Sequence, residues 1–493
     1  MNYIGISAGF HDAAVSLIDD NGNILFAGHS ERYTKHKHDK NLCLDIFRDA
    51  LHYVNDEYEV HYYERPWLKF ARQLRTGEPT SILNASTTNV IGKKYLDYLN
   101  ANKVHTHNHH LSHAAAGFQT SPFEDATVVI IDAIGEFDTI TVWDAKYNDK
   151  GVATYKKLYS QKYPHSIGLF YSAVTKHVGL DPLDEEYILM GMAAYGTPKY
   201  EAEMLHLLMS LNNIEFAQNL HIGLDPKFLH NADKMDIAAS AQRIAESLIQ
   251  TVMSKARMLG NSKNLVYGGG VALNCLANRM LGNFFENIWI MPNPGDAGSS
   301  LGAAALGYGK RLHWVNSYLG HEIAGPYPCN KILDHLVKDK IVGVASGRAE
   351  FGPRALGNRS LLADPRGDTI KDKVNEIKRR QKFRPFAPVI LEELVHDYFN
   401  MPRNWDTSRY MQVVATCRNP DLFPAITHFD GTSRVQTVPK DGSGIRELLE
   451  KWYVLTGCPM LLNTSLNVRG EPMVNDRSDA DRFEMLYNVK VIS

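Results

Sequence analysis

The sequence predicts an α/β protein built from two related halves around a nucleotide cleft. Three stretches predict it. Residues 3–7 read as an apolar strand, Ala8-Gly9-Phe10-His11-Asp12 as a polar turn, and 13–18 as a second strand. The device recurs at 128–143, where a β-branched run ends in Asp132, a turn spans 132–136 and a strand resumes at 139. It recurs again with glycine: Asn264-Leu265-Val266-Tyr267 runs into Gly268, Gly269 and Gly270. A Gly-rich turn after a strand lets backbone N–H groups approach phosphate oxygens closely. Residues 271–274 are expected to open a helix whose N-terminus favours an anion. One triple glycine is common in loops; its recurrence in a repeated unit carries the argument.

The chain has 493 residues, enough for two or three domains with large cores. Its 44% hydrophobic and 22% charged content is that of an ordinary globular protein. A net charge of −2 gives no global field toward nucleic acid or acidic membranes. Cys43, Cys275, Cys329, Cys417 and Cys458 are scattered with no CxxC pair, which suits free thiols in a reducing compartment. The N-terminus enters an apolar strand at once, so no signal peptide is expected. No apolar run approaches the ~20 residues of a membrane span. The expectation is a cytoplasmic protein with no membrane partner.

In chain order, Asp19-Asp20-Asn21-Gly22 signals a hairpin and 24–28 returns as a strand. His109 and His113 stand four apart before Ala114-Ala115-Ala116, so a helix would carry both imidazoles on one face. Asp132, at a strand end, is placed to meet them. Two His and a carboxylate suit a borderline divalent metal with open positions, although an ordinary helical histidine pair is the commoner reason for HxxxH. Residues 167–179 read as a buried helix, and 186–196 as an apolar segment punctuated by glycine. Ile237, Ala241, Ile244, Leu248 and Val252 recur at helical period within 234–259. Residues 293–298 form a tight turn before an Ala-rich helix at 301–306. That makes Asp296 either an N-terminal cap or a further metal or phosphate ligand.

A Pro/Gly-rich break at 310–330 marks a boundary. Residues 341–345 read as a strand. A loop at 346–366 carries Arg348, Arg354, Arg359 and Arg366. The run 371–384 holds seven basic residues against two acidic and leads into a proline-fixed turn at 383–388. It reads either as a solvated helix face or as a phosphate site. A strand from Met460 ends in Asn463, Thr464, Ser465 and Asn467, either a capped turn or a ligand site.

With these residues in view, nearly the whole chain resembles the NodU/CmcH-type ATP-dependent O-carbamoyltransferases. The resemblance rests on Gly5 through His11-Asp12, Glu31-Arg32 with Lys37-His38-Asp39, His109 with His113, and Asp132 with Gly135-Glu136. It rests further on Gly269-Gly270 with Asn274, Gly295-Asp296, Glu350-Phe351-Gly352-Pro353-Arg354-Ala355-Leu356-Gly357-Asn358-Arg359-Ser360, Arg384 through Pro388, Arg434-Val435-Gln436-Thr437 and Asn463 through Asn467. It implies an actin/Hsp70-type (ASKHA, TsaD-like) two-lobed domain over 1–318, followed by a YrdC-like α/β domain over 319–493.

The resemblance implies that His109, His113, Asp132 and Asp296 hold iron or another divalent metal, while Gly268, Gly269, Gly270, Asn274 and Glu186 line a nucleotide. In the second domain Lys382, Arg384, Arg434 and Ser465 would hold carbamoyl phosphate and the adenylate, with Arg354 and Asn463 beside the nucleotide. ATP and carbamoyl phosphate would give a carbamoyl-adenylate, and an acceptor hydroxyl, assisted by His11, would take the carbamoyl group. The chemistry is consistent: carbamate is a poor electrophile, cations offset phosphate charge, and a neutral His is the usual base near pH 7.

Three departures accompany the resemblance. Ala133 replaces a usual glycine, so its turn must avoid positive φ. Ile188 replaces a usual lysine and cannot contact phosphate. The chain also ends soon after Gly470-Glu471-Pro472, so a late element is expected to be missing. The acceptor is expected to be a small molecule or sugar, slightly favoured by the near-neutral charge, or a hydroxymethyl pyrimidine such as 5-hydroxymethylcytosine in DNA. A tRNA threonylcarbamoyl-type transferase and a non-catalytic nucleotide binder are the competing classes, and a homodimer is among the expectations.

Overall fold

The structure is a computed structural model that describes residues 1–54, 57–77, 82–367, 369–382, 384 and 386–493. It divides into two compact units. The first comprises Met1–Ala27 with Lys40–Val315, and the second Gly28–Asp39 with Asn316–Ser493. The sequence assigned 1–318 to one domain and did not foresee that 28–39 joins the second unit. Arg32 explains the join: it is buried there and donates to the Gly352 carbonyl at 2.9 Å. A buried guanidinium needs such partners, so it fixes its own segment.

The first unit contains one sheet topology twice. The first sheet runs Ile24–His29, Ala14–Ile18, Asn2–Ser7, Tyr58–Tyr62, Val104–Thr106. The second runs Ala153–Lys162, Asp138–Tyr147, Asp125–Gly135, Asn264–Gly268, Asn287–Trp289. In each, the first strand in sequence lies central, pairs antiparallel with the next strand, and pairs parallel with a later strand on its other side. The strand–turn–strand units read from the sequence are the starts of these repeats. In the second repeat the strand continues through Asp132 to Gly135, so the expected turn begins only at Glu136, which takes the positive φ of 57°. Ala133 stays extended within the strand.

Helices pack on these sheets with small residues at the crossings. His109–Phe118 starts at Asn108, whose side chain accepts from the Leu111 amide at 3.0 Å. It covers Val128, Ile130 and Val266 with Ala114 and Phe118. Ser299–Tyr308 crosses it closely: a Cβ on Gly302 would lie 1.8 Å from the Ser112 carbonyl oxygen, so only glycine fits. The helix Lys234–Leu259 has the bounds the apolar period predicts, begins on the Asp233 side chain and buries Ile237, Ala241, Ile244, Leu248 and Val252. The helix expected after the triple glycine is instead a 3₁₀ turn, Gly270–Leu273, and a four-residue helix, Cys275–Asn278.

In the second unit a mixed six-stranded sheet runs Gln436–Val438, Ala387–Leu391, Met460–Ser465, Arg359–Ala363, Ile341–Ala345, Val491–Ile492. Period-two alternation divides its side chains between two cores. Val342, Val344 and Leu362 meet the helices Cys329–Asp339 and Gly444–Thr456, while Ile341, Ala345 and Leu361 face the other way. The expected loop 346–366 contains two strands, Gly347–Glu350 and Arg359–Ala363. The helix within the basic run ends at Ile377. The proline-fixed turn includes Phe383 and Pro385, which lie outside the described residues. Among the described residues no helix is long and apolar enough to cross a membrane.

Candidate functional site

In the first unit, His109 and His113 meet Asp132 on the central strand of the second sheet and Asp296 in the 3₁₀ turn that leads into the helix Ser299–Tyr308. His109 Nε2 lies 3.1 Å from Asp132 Oδ2 and 3.1 Å from His113 Nε2. His113 Nε2 lies 3.3 Å from Asp296 Oδ1, and His109 Nε2 lies 3.4 Å from it. All four residues are buried, and their four ligand atoms lie within 4.8 Å of one another. Ligand atoms about 2.0–2.2 Å from one cation stand roughly this far apart, so the donor set fits a borderline divalent ion. Asp296 is no cap: its helix begins without a side-chain cap bond.

The approach is built by Gly135, where a Cβ would lie 2.3 Å from His109 Cδ2 and 2.6 Å from His110 Cδ2. Burial opposes every charge in this cluster, raising carboxylates and lowering imidazoles. Mutual attraction reverses it: His109 and His113 hold Asp132 well below the usual carboxylate range, His109 and His11 hold Asp296 below it, and His109 is raised well above an ordinary histidine. Two buried carboxylates and two imidazoles thus require shared positive charge, which a divalent ion supplies directly.

The glycine loop touches the cluster. Gly269 has φ 86°, and the Gly270 amide donates to Asp132 Oδ1 at 3.2 Å. Gly268 ends the strand before it. Asn274 caps the short helix through the Ala277 amide and exchanges hydrogen bonds with Gln242 at 3.0 and 3.1 Å. Tyr171 also donates to Gln242, at 2.8 Å, and Gln242 donates to Glu246 at 3.0 Å. The sequence reading missed Gln242 and Glu246; their signal is two polar residues one turn apart on the buried face of Lys234–Leu259. Glu186 accepts from Ser172 Oγ and the Leu183 amide, both at 2.7 Å, while Ile188 is buried in the core.

His11 lies between two carboxylates, Asp12 Oδ2 at 2.9 Å from Nδ1 and Asp296 Oδ2 at 3.8 Å from Nε2. Burial lowers its pKa, but Asp296 and then Asp12 outweigh burial and raise it to about 9. The neutral base expected from the sequence is therefore a charged donor while Asp296 attracts it. A cation on Asp296 would cancel the largest attraction and return the ring toward its ordinary range.

The second unit gathers cations. Lys378 is buried and donates to Ser465 Oγ at 3.0 Å, the Ser465 carbonyl at 2.5 Å and Asn467 Oδ1 at 2.6 Å. Burial, then Arg380 and Arg384, hold its pKa well below the usual lysine range. Lys382, chosen from the sequence, is exposed; the ammonium at Ser465 is that of Lys378. Spacing could have shown this, since Lys378 continues the buried face of Ile370 and Val374.

Arg384 is half-buried, and its carbonyl accepts from Asn375 and Arg380. Arg380 lies 3.9 Å over the Phe386 ring. Arg434 is half-buried with its Nε unpartnered among the described residues. Burial, Arg434, Lys371 and Arg380 push His428 down to about 4, against the pull of Asp430. So much like charge about one place favours an anion. Asn463 donates to Gln436 and Ala355, leaving its buried Oδ1 unpartnered among the described residues. Arg354 is half-buried in the loop after Glu350.

The long 350–360 motif is largely scaffold. Glu350 Oε1 accepts from the amides of Leu356, Asn358 and Arg359 at 2.7–3.2 Å. Arg359 is fully buried and donates to the carbonyls of Asn475, Ser346, Gly347 and His321.

With both clusters described, comparison decides the family. Residues 46–305 match the family model "Carbamoyltransferase N-terminus", and 333–493 match "Carbamoyltransferase C-terminus". The chain belongs to the carbamoyltransferase family. It is 34% identical to the uncharacterized protein sll1178 of Synechocystis, with 98% of this chain and 94% of that protein aligned. It is 30% identical to nodulation protein NolNO of Sinorhizobium fredii, over 95% of this chain and 76% of that protein. Among solved structures, the activator of 2-hydroxyisocaproyl-CoA dehydratase from Clostridium difficile aligns over 62% of this chain and 94% of its own, at 16% identity and TM-score 0.35. The protein is a carbamoyltransferase enzyme of mixed α/β architecture.

Proposed function

We propose that the protein is an ATP-dependent O-carbamoyltransferase whose second unit activates carbamate and whose first unit transfers it to an acceptor hydroxyl. The observation that carries this reading is the Lys378–Ser465–Asn467 contact among Arg380, Arg384 and Arg434, in a chain of this family. The repeated sheet of the first unit supports an actin/Hsp70-type, TsaD-like domain. The mixed sheet carrying Ser465 supports a YrdC-like one.

The steps balance as follows. Carbamoyl phosphate loses phosphate to water, leaving carbamate. A carbamate oxygen attacks the α-phosphorus of ATP, and the bond to pyrophosphate breaks. Lys378 and the arginines offset the charge that builds on the phosphate oxygens. Ser465 and Asn467 orient the carbamoyl end through hydrogen bonds. The acceptor hydroxyl then attacks the carbamoyl carbon, the bond to AMP breaks, and the hydroxyl proton leaves with assistance from His11.

His109, His113, Asp132 and Asp296 would hold iron or another divalent ion. When bound, the ion would supply positive charge that offsets charge on a phosphate. The nucleotide would lie along the glycine loop, which the Gly270 amide ties to Asp132.

The test incubates the protein with ATP, carbamoyl phosphate, Fe²⁺ and one of two acceptor pools, followed by mass spectrometry. One pool holds sugar-type and aminoglycoside alcohols, the other duplex DNA with 5-hydroxymethylcytosine. Gain of one carbamoyl group on an alcohol is expected, with release of AMP and pyrophosphate. Carbamoylation of an amine with no AMP formed would contradict the reading.

A further inference from the structure

Glu64 was not singled out by its sequence. It stands in the turn between the strand Tyr58–Tyr62 and the helix Pro66–Thr76, and it is 2% exposed. Its Oε1 accepts from Lys69 Nζ at 2.8 Å. Its Oε2 lies 3.4 Å from Nδ1 of His109, the nitrogen opposite the one that faces Asp132, Asp296 and His113.

A neutral imidazole carries one ring proton. On Nδ1, that proton leaves the Nε2 lone pair free for a cation; on Nε2, it blocks the position. A carboxylate beside Nδ1 selects the first tautomer and fixes the ring's rotation.

The turn is held for that task. The Arg65 amide and guanidinium donate to Glu136 at 2.8–3.0 Å, and Glu136 also accepts from Asn108 Nδ2 at 2.7 Å. Asn108 caps the helix that carries His109. On the same helix, Ser112 Oγ donates to the Tyr63 carbonyl at 2.7 Å. The turn bearing Glu64 and the helix bearing His109 are thus tied at two points, both independent of the Glu64 side chain.

We infer that Glu64 is a positioning residue for His109: it accepts the Nδ1–H and so presents Nε2 to the divalent ion, with Lys69 holding the other carboxylate oxygen. This rests on the reading of His109, His113, Asp132 and Asp296 as a cation site.

The experiment strips the full chain with a chelator and titrates it with Co²⁺, following both affinity and the visible absorption bands. Glu64→Ala, Glu64→Gln and His113→Ala are compared with the wild type. Glu64→Ala is expected to bind Co²⁺ about 10–100-fold more weakly, with shifted bands. Glu64→Gln is expected to fall between, since its amide oxygen still accepts but carries no charge. A role confined to packing would leave the bands unmoved.

Wild-type affinity and bands in both Glu64 variants, with binding lost in His113→Ala, would overturn the inference and leave the cation site standing. A wild type that binds no Co²⁺ would overturn both. If Glu64→Ala fails to fold, Glu64→Gln decides: weaker binding with shifted bands supports the inference, and wild-type binding overturns it.

Discussion

At the scale of single residues, chemistry separates neighbours that composition treats alike. Lys378 and Lys382 stand in one basic run, yet one is buried against Ser465 and the other is exposed. Lys378→Met is expected to reduce carbamoyl-phosphate-dependent pyrophosphate release at least 100-fold, because the buried amine that holds Ser465 and Asn467 in place is lost. Lys382→Met is expected to stay within a few-fold of wild type, as surface substitutions usually do. Equal loss in both would return Lys382 to the site. Under the proposed mechanism His11 acts in the other step: His11→Ala should spare pyrophosphate release and stop carbamoyl gain on the acceptor. Parallel loss of both would remove it from transfer.

The clustering of His109, His113, Asp132 and Asp296 was legible because their motifs place each on a definite element, an i, i+4 pair on a helix, a strand and a turn before a helix, although the strand runs on past Asp132. Lys378 was not read because the run of seven cations hid the apolar period of Ile370 and Val374 that leads to it. The charge on His11 was not legible either. It depends on Asp296, which lies far along the chain and becomes a neighbour only in the fold.

At the scale of elements, close contact decides what can change. Gly302 lets the helix Ser299–Tyr308 cross the histidine helix at Ser112. A Gly302→Ala variant places its Cβ against a backbone oxygen and is expected to lose about 1–3 kcal/mol in urea unfolding, as overpacked sites do. No loss would mean that the helices part freely.

In the second unit the buried Arg446 clamps Glu393, with its Nη1 2.8 Å from Oε2. That hydrogen bond holds the Glu393 carboxyl down to about 2, below the usual glutamate range. A depressed carboxylate contributes stability that is present above pH 4.5 and lost as the pH falls through about 2. Glu393→Gln should therefore flatten the acid limb of stability in that window and leave pH 7–8 without slope. An unchanged acid limb would contradict the assignment.

The long helix Lys234–Leu259 was legible to its bounds, because the apolar period and Asp233 mark it. The strands Gly347–Glu350 and Arg359–Ala363 were not, since arginines and glycines obscure period two. Gly347–Glu350 pairs with Tyr318–Ile323, and Arg359–Ala363 lies between Ile341–Ala345 and Met460–Ser465, partners that only the fold brings together.

At the scale of the whole molecule, the repeated strand device announced two related halves in the first unit, while the strand order they share is seen only in the structure. The passage of residues 28–39 into the second unit was beyond reach of pattern. It depends on Arg32 meeting Gly352, across more than three hundred residues of chain. Family membership then fixes carbamoyl transfer, and the two clusters suggest how the work is shared.

The most direct test of that division is the nucleotide product formed from ATP with carbamoyl phosphate, measured with and without an acceptor alcohol. The account predicts AMP and pyrophosphate in equal amounts, formed only when carbamoyl phosphate is present and lost in Lys378→Met. ADP and phosphate formed regardless of carbamoyl phosphate would contradict it.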